Sequence, residues 1–200
     1  MTDWVTHDTF PADMRVEEVL SHASPRRLSR DEFQRMAEQG FFADERVELV
    51  AGLVVQMSPV GAPHCDEISV LTRVLVVGVG DRAVVRVQLP FAAGDDSQPQ
   101  PDLALVAPRR WSDRHPDQAF LLVEVAESSL GYDRRVKARL YALSGVPEYW
   151  VVDVSGKQVE VFEAPISGEY TRRRVVSRGE RLAPAAFPDV VVDLAELFGA

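Results

Sequence analysis

The run Ala119-Phe120-Leu121-Leu122-Val123-Glu124-Val125-Ala126 constrains the architecture of this chain more than any other segment. Apolar residues fall on both alternating faces, so as a strand it must be covered on both sides. A strand of that kind belongs at the centre of a sheet with helices packed against it. Glu124 is the exception within the run. An ionised carboxyl in apolar surroundings is costly unless it meets a cation or hydrogen-bond donors. A second carboxylate, Asp102, follows Pro101, which makes the chain enter it extended, at the start of a strand over Leu103 to Val106. Two carboxylates from successive strands supply the oxygens that a hard divalent cation takes, Mg²⁺ or Mn²⁺. The backbone carbonyl of Val125 is a further candidate ligand.

The rest of the chain arranges itself around those strands. Residues 1–27 read as an N-terminal arm, broken by Pro11 and Pro25, with only Val16, Val19 and Leu20 suggesting a helical stripe. Ser29-Arg30-Asp31-Glu32 is a capping box that opens a helix running to Gly40, with Leu28 and Phe33 as its staple. Arg46 to Met57 reads as two strands around Ala51-Gly52, a poor turn because alanine resists positive φ. Ser58 to Pro63 is a loop, and His64 to about Val77 a helix. A strand over Ala83 to Leu89, a connection from Gly94 to Pro99 and a polar excursion from Arg109 to Gln118 follow. The helix after Glu124 spans about Tyr132 to Ser144 and is closed by Gly145 and Pro147. Glu148 to Val154 and Gln158 to Glu163 are strands, Tyr170 to Val176 an edge strand, and Leu194 to Phe198 a short helix. The order predicts one α/β domain over 28–200, a central mixed β-sheet flanked by helices.

That helix carries the next candidates. Asp133, Lys137 and Tyr141 are spaced by four and share a face, opposite Val136, Leu140 and Leu143. In isolation Asp133 and Lys137 read as an ordinary i,i+4 salt bridge. Because the helix leaves directly after the Glu124 strand, its first turns can also lean over the strand end and bring the Lys137 ammonium to the carboxylates. Glu48, between Val47 and Leu49, is either a third metal carboxylate or a solvent-facing strand residue. His64 shares a helix face with Ile68, Leu71 and Leu75, so it points inward, as a core or capping histidine or as a phosphate contact. Arg172-Arg173-Arg174 reads as a charged guard on an edge strand.

Charge narrows the partners. With 22 Lys+Arg against 31 Asp+Glu, the net charge of -9 argues against a sequence-independent nucleic-acid coat. It does not argue against a nuclease, whose carboxylate-lined metal centre is itself acidic. The single cysteine, Cys65, can form neither an intramolecular disulfide nor a thiolate zinc cluster, and reads as a small buried side chain. No basic segment followed by an apolar core opens the chain, and no apolar run is membrane-length, so a cytoplasmic protein without a membrane partner is the expectation.

Taken together, Pro101-Asp102, Glu124-Val125-Ala126, Tyr132-Asp133, Lys137 and the block Tyr141 to Asp153 resemble the Uma family. Its members are described as restriction endonucleases within the PD-(D/E)xK nuclease superfamily. Glu48 to Gly52 and Met57 to His64 fit the family's N-terminal half, and the resemblance runs from Leu28 to Phe198. It implies a restriction-endonuclease-like fold and a Mg²⁺- or Mn²⁺-dependent endonuclease, a hydrolase of phosphodiester bonds in nucleic acid, DNA first. Carried over residue by residue, it makes Asp102 and Glu124 the metal carboxylates, Glu48 the supporting acid, and His64, Asp133 and Tyr141 their neighbours. Ala126 stands where the superfamily has lysine, so the resemblance reads Lys137 as that lysine displaced to the helix. A homodimer would suit cutting of both strands. Two other readings stay open: an inactive nuclease-fold binding module, and carboxylates paired to Arg134 or Arg135.

Overall fold

A computed structural model describes residues 16–57 and 61–199. Most of the anticipated arm and the loop residues Ser58, Pro59 and Val60 lie outside the described residues. Helix α1 (Val16–His22) falls where the short apolar stripe suggested one. Helix α2 (Arg30–Glu38) opens on the capping box: the Ser29 side chain accepts the Glu32 N–H, and Glu32 accepts the Ser29 N–H at 2.9 Å. Leu28 packs against Phe33 there, as the staple requires.

Strands β1 (Val47–Val50) and β2 (Leu53–Gln56) form an antiparallel hairpin. Both turn residues are left-handed, Ala51 at φ 49 and Gly52 at φ 76, which matches the twist of a tight hairpin. The turn is held from outside: the Ala51 N–H donates to Ser97 Oγ at 2.8 Å and the Gly52 N–H to the Asp96 carbonyl at 2.7 Å. Gly52 also has no room for a Cβ, because Arg27 lies against it.

Helix α3 (Ala62–Val79) is followed by a 3₁₀ turn at Gly80–Arg82. Its inward face is His64, Ile68, Leu71 and Leu75, which leaves Cys65 rotated away and exposed. The expectation of a buried thiol is therefore corrected by the helical period.

The main sheet contains β3 (Val84–Val87), β4 (Leu103–Val106), β5 (Leu121–Ala126), β6 (Glu148–Asp153), β7 (Gln158–Ile166) and β8 (Glu169–Ser177), in that spatial order. Only β5 and β6 are parallel, so the sheet is mixed, and β5 lies inside it. A small pair, β9 (Arg181–Leu182) with β10 (Val192–Asp193), and helix α6 (Leu194–Leu197) complete the chain. The parallel crossover is one continuous helical stretch: α4 (Leu130–Tyr132), a π-helical segment Asp133–Lys137, and α5 (Ala138–Leu143).

Alternation along β5 divides the core. Leu121, Val123 and Val125 face α3 and α6, with Leu71, Leu75, Leu194 and Leu197. Leu122 and Ala126 face the other way, towards Phe91, Tyr141 and Tyr149. All six residues of β5 are buried, and each large apolar side chain there contributes roughly 2 kcal/mol. Glu124 belongs by alternation to the Tyr141 side. On the edge strand β8, Arg173 pairs with Glu160 at 2.5 Å and Arg174 with Glu163 at 3.8 Å, consistent with the guard reading.

Candidate active site

A cavity of about 370 Å³ opens where Asp102 enters β4 and Glu124 nears the end of β5. Asp102 is fixed by both oxygens. Its Oδ2 accepts the Val125 N–H at 2.8 Å; its Oδ1 accepts the Gln88 amide at 3.1 Å and lies 3.2 Å from His64 Nε2. Gln88 gains that position from an unusual backbone: its φ of 49 ends β3 earlier than alternation predicted, while its N–H donates to the Asp102 carbonyl at 3.0 Å. The hydrogen bond to Asp102 raises the His64 imidazole above its usual range, with a smaller push from the Val125 carbonyl.

Glu124 is buried and its Oε1 accepts the Tyr141 hydroxyl at 2.6 Å and the Lys137 ammonium at 3.1 Å. Its Oε2 takes no hydrogen bond from the described residues. Burial pushes the carboxyl up to about 8; Lys137 opposes this, and the charges of Asp102, Asp133 and Glu48 add to it. Lys137 is only 3% exposed. Burial alone would lower its ammonium, but Glu124 and Glu48 outweigh that and raise it, so it stays charged.

Glu48 is 3% exposed, which removes the solvent-facing reading. β1 is covered on both faces and its edge is bridged to Gln98 through Leu49, so Glu48, on the face opposite Leu49, is buried as well. Its Oε2 accepts Lys137 Nζ at 2.6 Å and the Gln100 N–H at 3.2 Å; its Oε1 accepts the Tyr132 hydroxyl at 3.2 Å. Both oxygens are thus occupied by donors, and the residue grips the lysine.

The ordinary Asp133–Lys137 salt bridge that their spacing would allow in isolation is absent among the described ion pairs. The π-helical turn between them widens the spacing on which an i,i+4 pair depends. Asp133 instead accepts the Ser129 hydroxyl at 2.5 Å and is pushed up to about 6, chiefly by burial. The arginine-paired reading fails as well among the described residues. Arg134 goes to Glu160 and Asp153, and Arg135 is exposed.

The structure thus brings Glu48, His64, Asp102, Glu124, Asp133, Lys137 and Tyr141 to one cavity or directly behind it. Sequence reasoning missed Gln88, Gln100, Ser129 and Tyr132 as partners. Tyr132 alone had a signal, five residues before Lys137 at the start of the same helical stretch; the glutamines depend on backbone turns that no periodicity reveals. Among the described residues, no three Asp, Glu, His or Cys side chains converge into a closed metal cage. Two carboxylates and a main-chain carbonyl beside an open cavity instead suit Mg²⁺, which keeps several waters.

The chain matches the model of the Uma2 family, described as "Putative restriction endonuclease", over residues 30–195. No curated protein matches it. Among solved structures, the fold resembles that of a protein from Anabaena variabilis described as a "putative nuclease belonging to DUF820". The TM-score is 0.69 at 16% identity, covering 86% of this chain and 97% of that one. At that identity the likeness speaks for the fold alone. The family match spans most of the chain, so the chain belongs to the Uma2 family.

Proposed function

We propose that this chain is a metal-dependent endonuclease that hydrolyses phosphodiester bonds of nucleic acid, DNA in the first instance. The observation that carries the reading is Lys137, delivered by the helix after β5 onto Glu124, whose Oε2 stays unbonded. Asp102, Glu124 and the Val125 carbonyl would hold Mg²⁺ or Mn²⁺. When bound, such an ion lowers the pKa of water and neutralises charge on the phosphate. Asp102 is oriented for this by the Val125 N–H, Gln88 and His64. Lys137 orients the attacking water and offsets negative charge on the phosphoryl oxygens as it builds up. Glu48, tied to Tyr132 and the Gln100 N–H, fixes the ammonium in place. His64, bonded through Nε2 to Asp102, helps to hold that carboxylate in place beside the cavity.

Cleavage of single- and double-stranded DNA with Mg²⁺ or Mn²⁺ tests the reading. Asp102→Ala and Lys137→Ala are each expected to lose a hundredfold or more in rate, the order found when a charge-stabilising donor is removed. Equal activity in wild type and both variants would sink it. The Glu48–Lys137–Glu124 ion network favours one competing reading, an inactive binding module in which Lys137 replaces a cation. Calorimetric titration with millimolar Mn²⁺ separates the two, since the module takes up no metal.

A further inference from the structure

Glu48, Asp102, Glu124, Glu127 and Asp133 all line the catalytic cavity. The first three have tasks: Glu48 grips Lys137, and Asp102 and Glu124 are assigned to the cation. Glu127 is exposed. Asp133 is only 4% exposed and serves neither the lysine nor the cation. Yet hydrolysis of a phosphodiester has one more proton to place, because the oxygen that leaves phosphorus departs as an alkoxide and needs one. Lys137 cannot give it: Glu124 and Glu48 raise its ammonium, which keeps its proton. Tyr132 spends its hydroxyl on Glu48, and burial raises it too. His64 turns its Nε2 onto Asp102.

Asp133 is held differently. Its N–H donates to the Ser129 carbonyl at 3.0 Å and its carbonyl accepts the Tyr149 hydroxyl at 3.3 Å, so the backbone is pinned. On the side chain, Ser129 Oγ donates to Oδ2 at 2.5 Å, while Oδ1 takes no hydrogen bond from the described residues. A proton on this carboxyl therefore sits on Oδ1, beside the cavity. Helix capping does not account for the contact. Ser129 makes no side-chain hydrogen bond to the helix backbone and spends its hydroxyl on the buried carboxyl instead. Burial pushes that carboxyl up to about 6; the Ser129 hydroxyl and the Lys137 ammonium oppose this, and the charges of Asp102 and Glu48 add to it. A group that titrates near the working pH can give and recover a proton within one turnover.

We propose that Asp133 is the general acid of this site and delivers its Oδ1 proton to the oxygen that leaves phosphorus. The assignment rests on the phosphodiester reading of the cavity. A water oxygen bonds to phosphorus and releases a proton to solvent. The bond from phosphorus to the leaving oxygen breaks, and that oxygen takes the proton from Asp133. Solvent then reprotonates the Asp133 carboxylate, which the Ser129 hydroxyl steadies in the interval. One water is consumed, and one diester becomes a monoester and an alcohol.

The test compares leaving groups. With Mn²⁺, Asp133→Asn is expected to cleave DNA about a hundredfold or more slower, the usual order for a general acid. On bis(4-nitrophenyl) phosphate, whose nitrophenolate departs without a proton, the loss is expected to be only a few-fold. In the wild type the rate on DNA falls as pH rises through the carboxyl's titration. In Ser129→Ala, which lacks the hydroxyl that favours the charged form, that limb moves to higher pH. A carbon-13 titration of labelled aspartate side chains in the metal-free chain reads the same group without turnover. One signal is expected to titrate near 6, to be missing in Asp133→Asn and to move up in Ser129→Ala. An Asp133 signal in the ordinary aspartate range overturns the assignment, as do equal losses on the two diesters or undiminished DNA cleavage by Asp133→Asn. Failure of the catalytic reading looks different: the wild type then splits neither diester, and the assignment falls with it.

Discussion

At Lys137 two buried carboxylates share one ammonium, with Glu48 at 2.6 Å and Glu124 at 3.1 Å. Removing the lysine leaves the buried Glu48 and Glu124 carboxyls without their cation, and breaking a buried pair typically costs about 3–5 kcal/mol. Lys137→Met is therefore expected to lower the urea midpoint sharply, and Lys137→Met with Glu48→Gln to recover part of the loss. No recovery would mean that the pair is not energetically coupled. Glu124 gives a pH signature. Its folded carboxyl titrates near 8, above its ordinary value of 4.5, so its contribution is fully present below about 4.5 and is lost as pH rises towards 8. His64, also raised, acts in the same direction. In chelator, stability is expected to fall between pH 5 and 8 by up to about 1.4 kcal/mol per unit from Glu124. Glu124→Gln should flatten that slope; an identical slope in the variant would remove burial as the cause. These charges were readable in the sequence because Glu124 breaks an apolar run. Their hydrogen-bonding partners were not, since Gln88 and Gln100 are placed by turns rather than by periodicity.

Among the elements, the hairpin and the crossover helix show where local rules were sufficient and where tertiary structure overrode them. Ala51 at φ 49 sits in a region that costs a non-glycine residue about 1 kcal/mol. Ala51→Gly is expected to raise the urea midpoint modestly, provided that the Ser97 contact survives. A midpoint that falls would show that the alanine methyl packs favourably. The capping box, the α3 face and the buried β5 followed from spacing alone. The π-helical turn did not, because one extra residue in a helical turn leaves no pattern in composition. Deleting exposed Val136 would return that stretch to an α-helix and rotate Lys137 or Tyr141 out of register. Mn²⁺ binding by calorimetry is expected to be lost in that deletion while far-UV circular dichroism keeps its helical signal. Retained binding would make the π turn incidental.

Across the whole molecule, the mixed sheet was legible because one strand had to be covered on both faces. The strand order β3-β4-β5-β6-β7-β8 needed coordinates. If the cation reading holds, millimolar Mn²⁺ at pH 8 raises the melting temperature of the wild type, as any ligand of the native state does, but not that of Asp102→Ala. An equal rise in both proteins would place the ion elsewhere. The four central groups come from Glu48 in the hairpin, Asp102 before β4, Glu124 in β5 and Lys137 in the crossover. The ion pair between Glu48 and Lys137 closes a long stretch of chain, and the entropy of that closure must be met by contacts formed elsewhere first. No contiguous fragment short of that span can assemble the centre. In a refolding experiment, capture of Mn²⁺ would therefore mark arrival at the native topology rather than early collapse, making the ion a clock for the last step of folding.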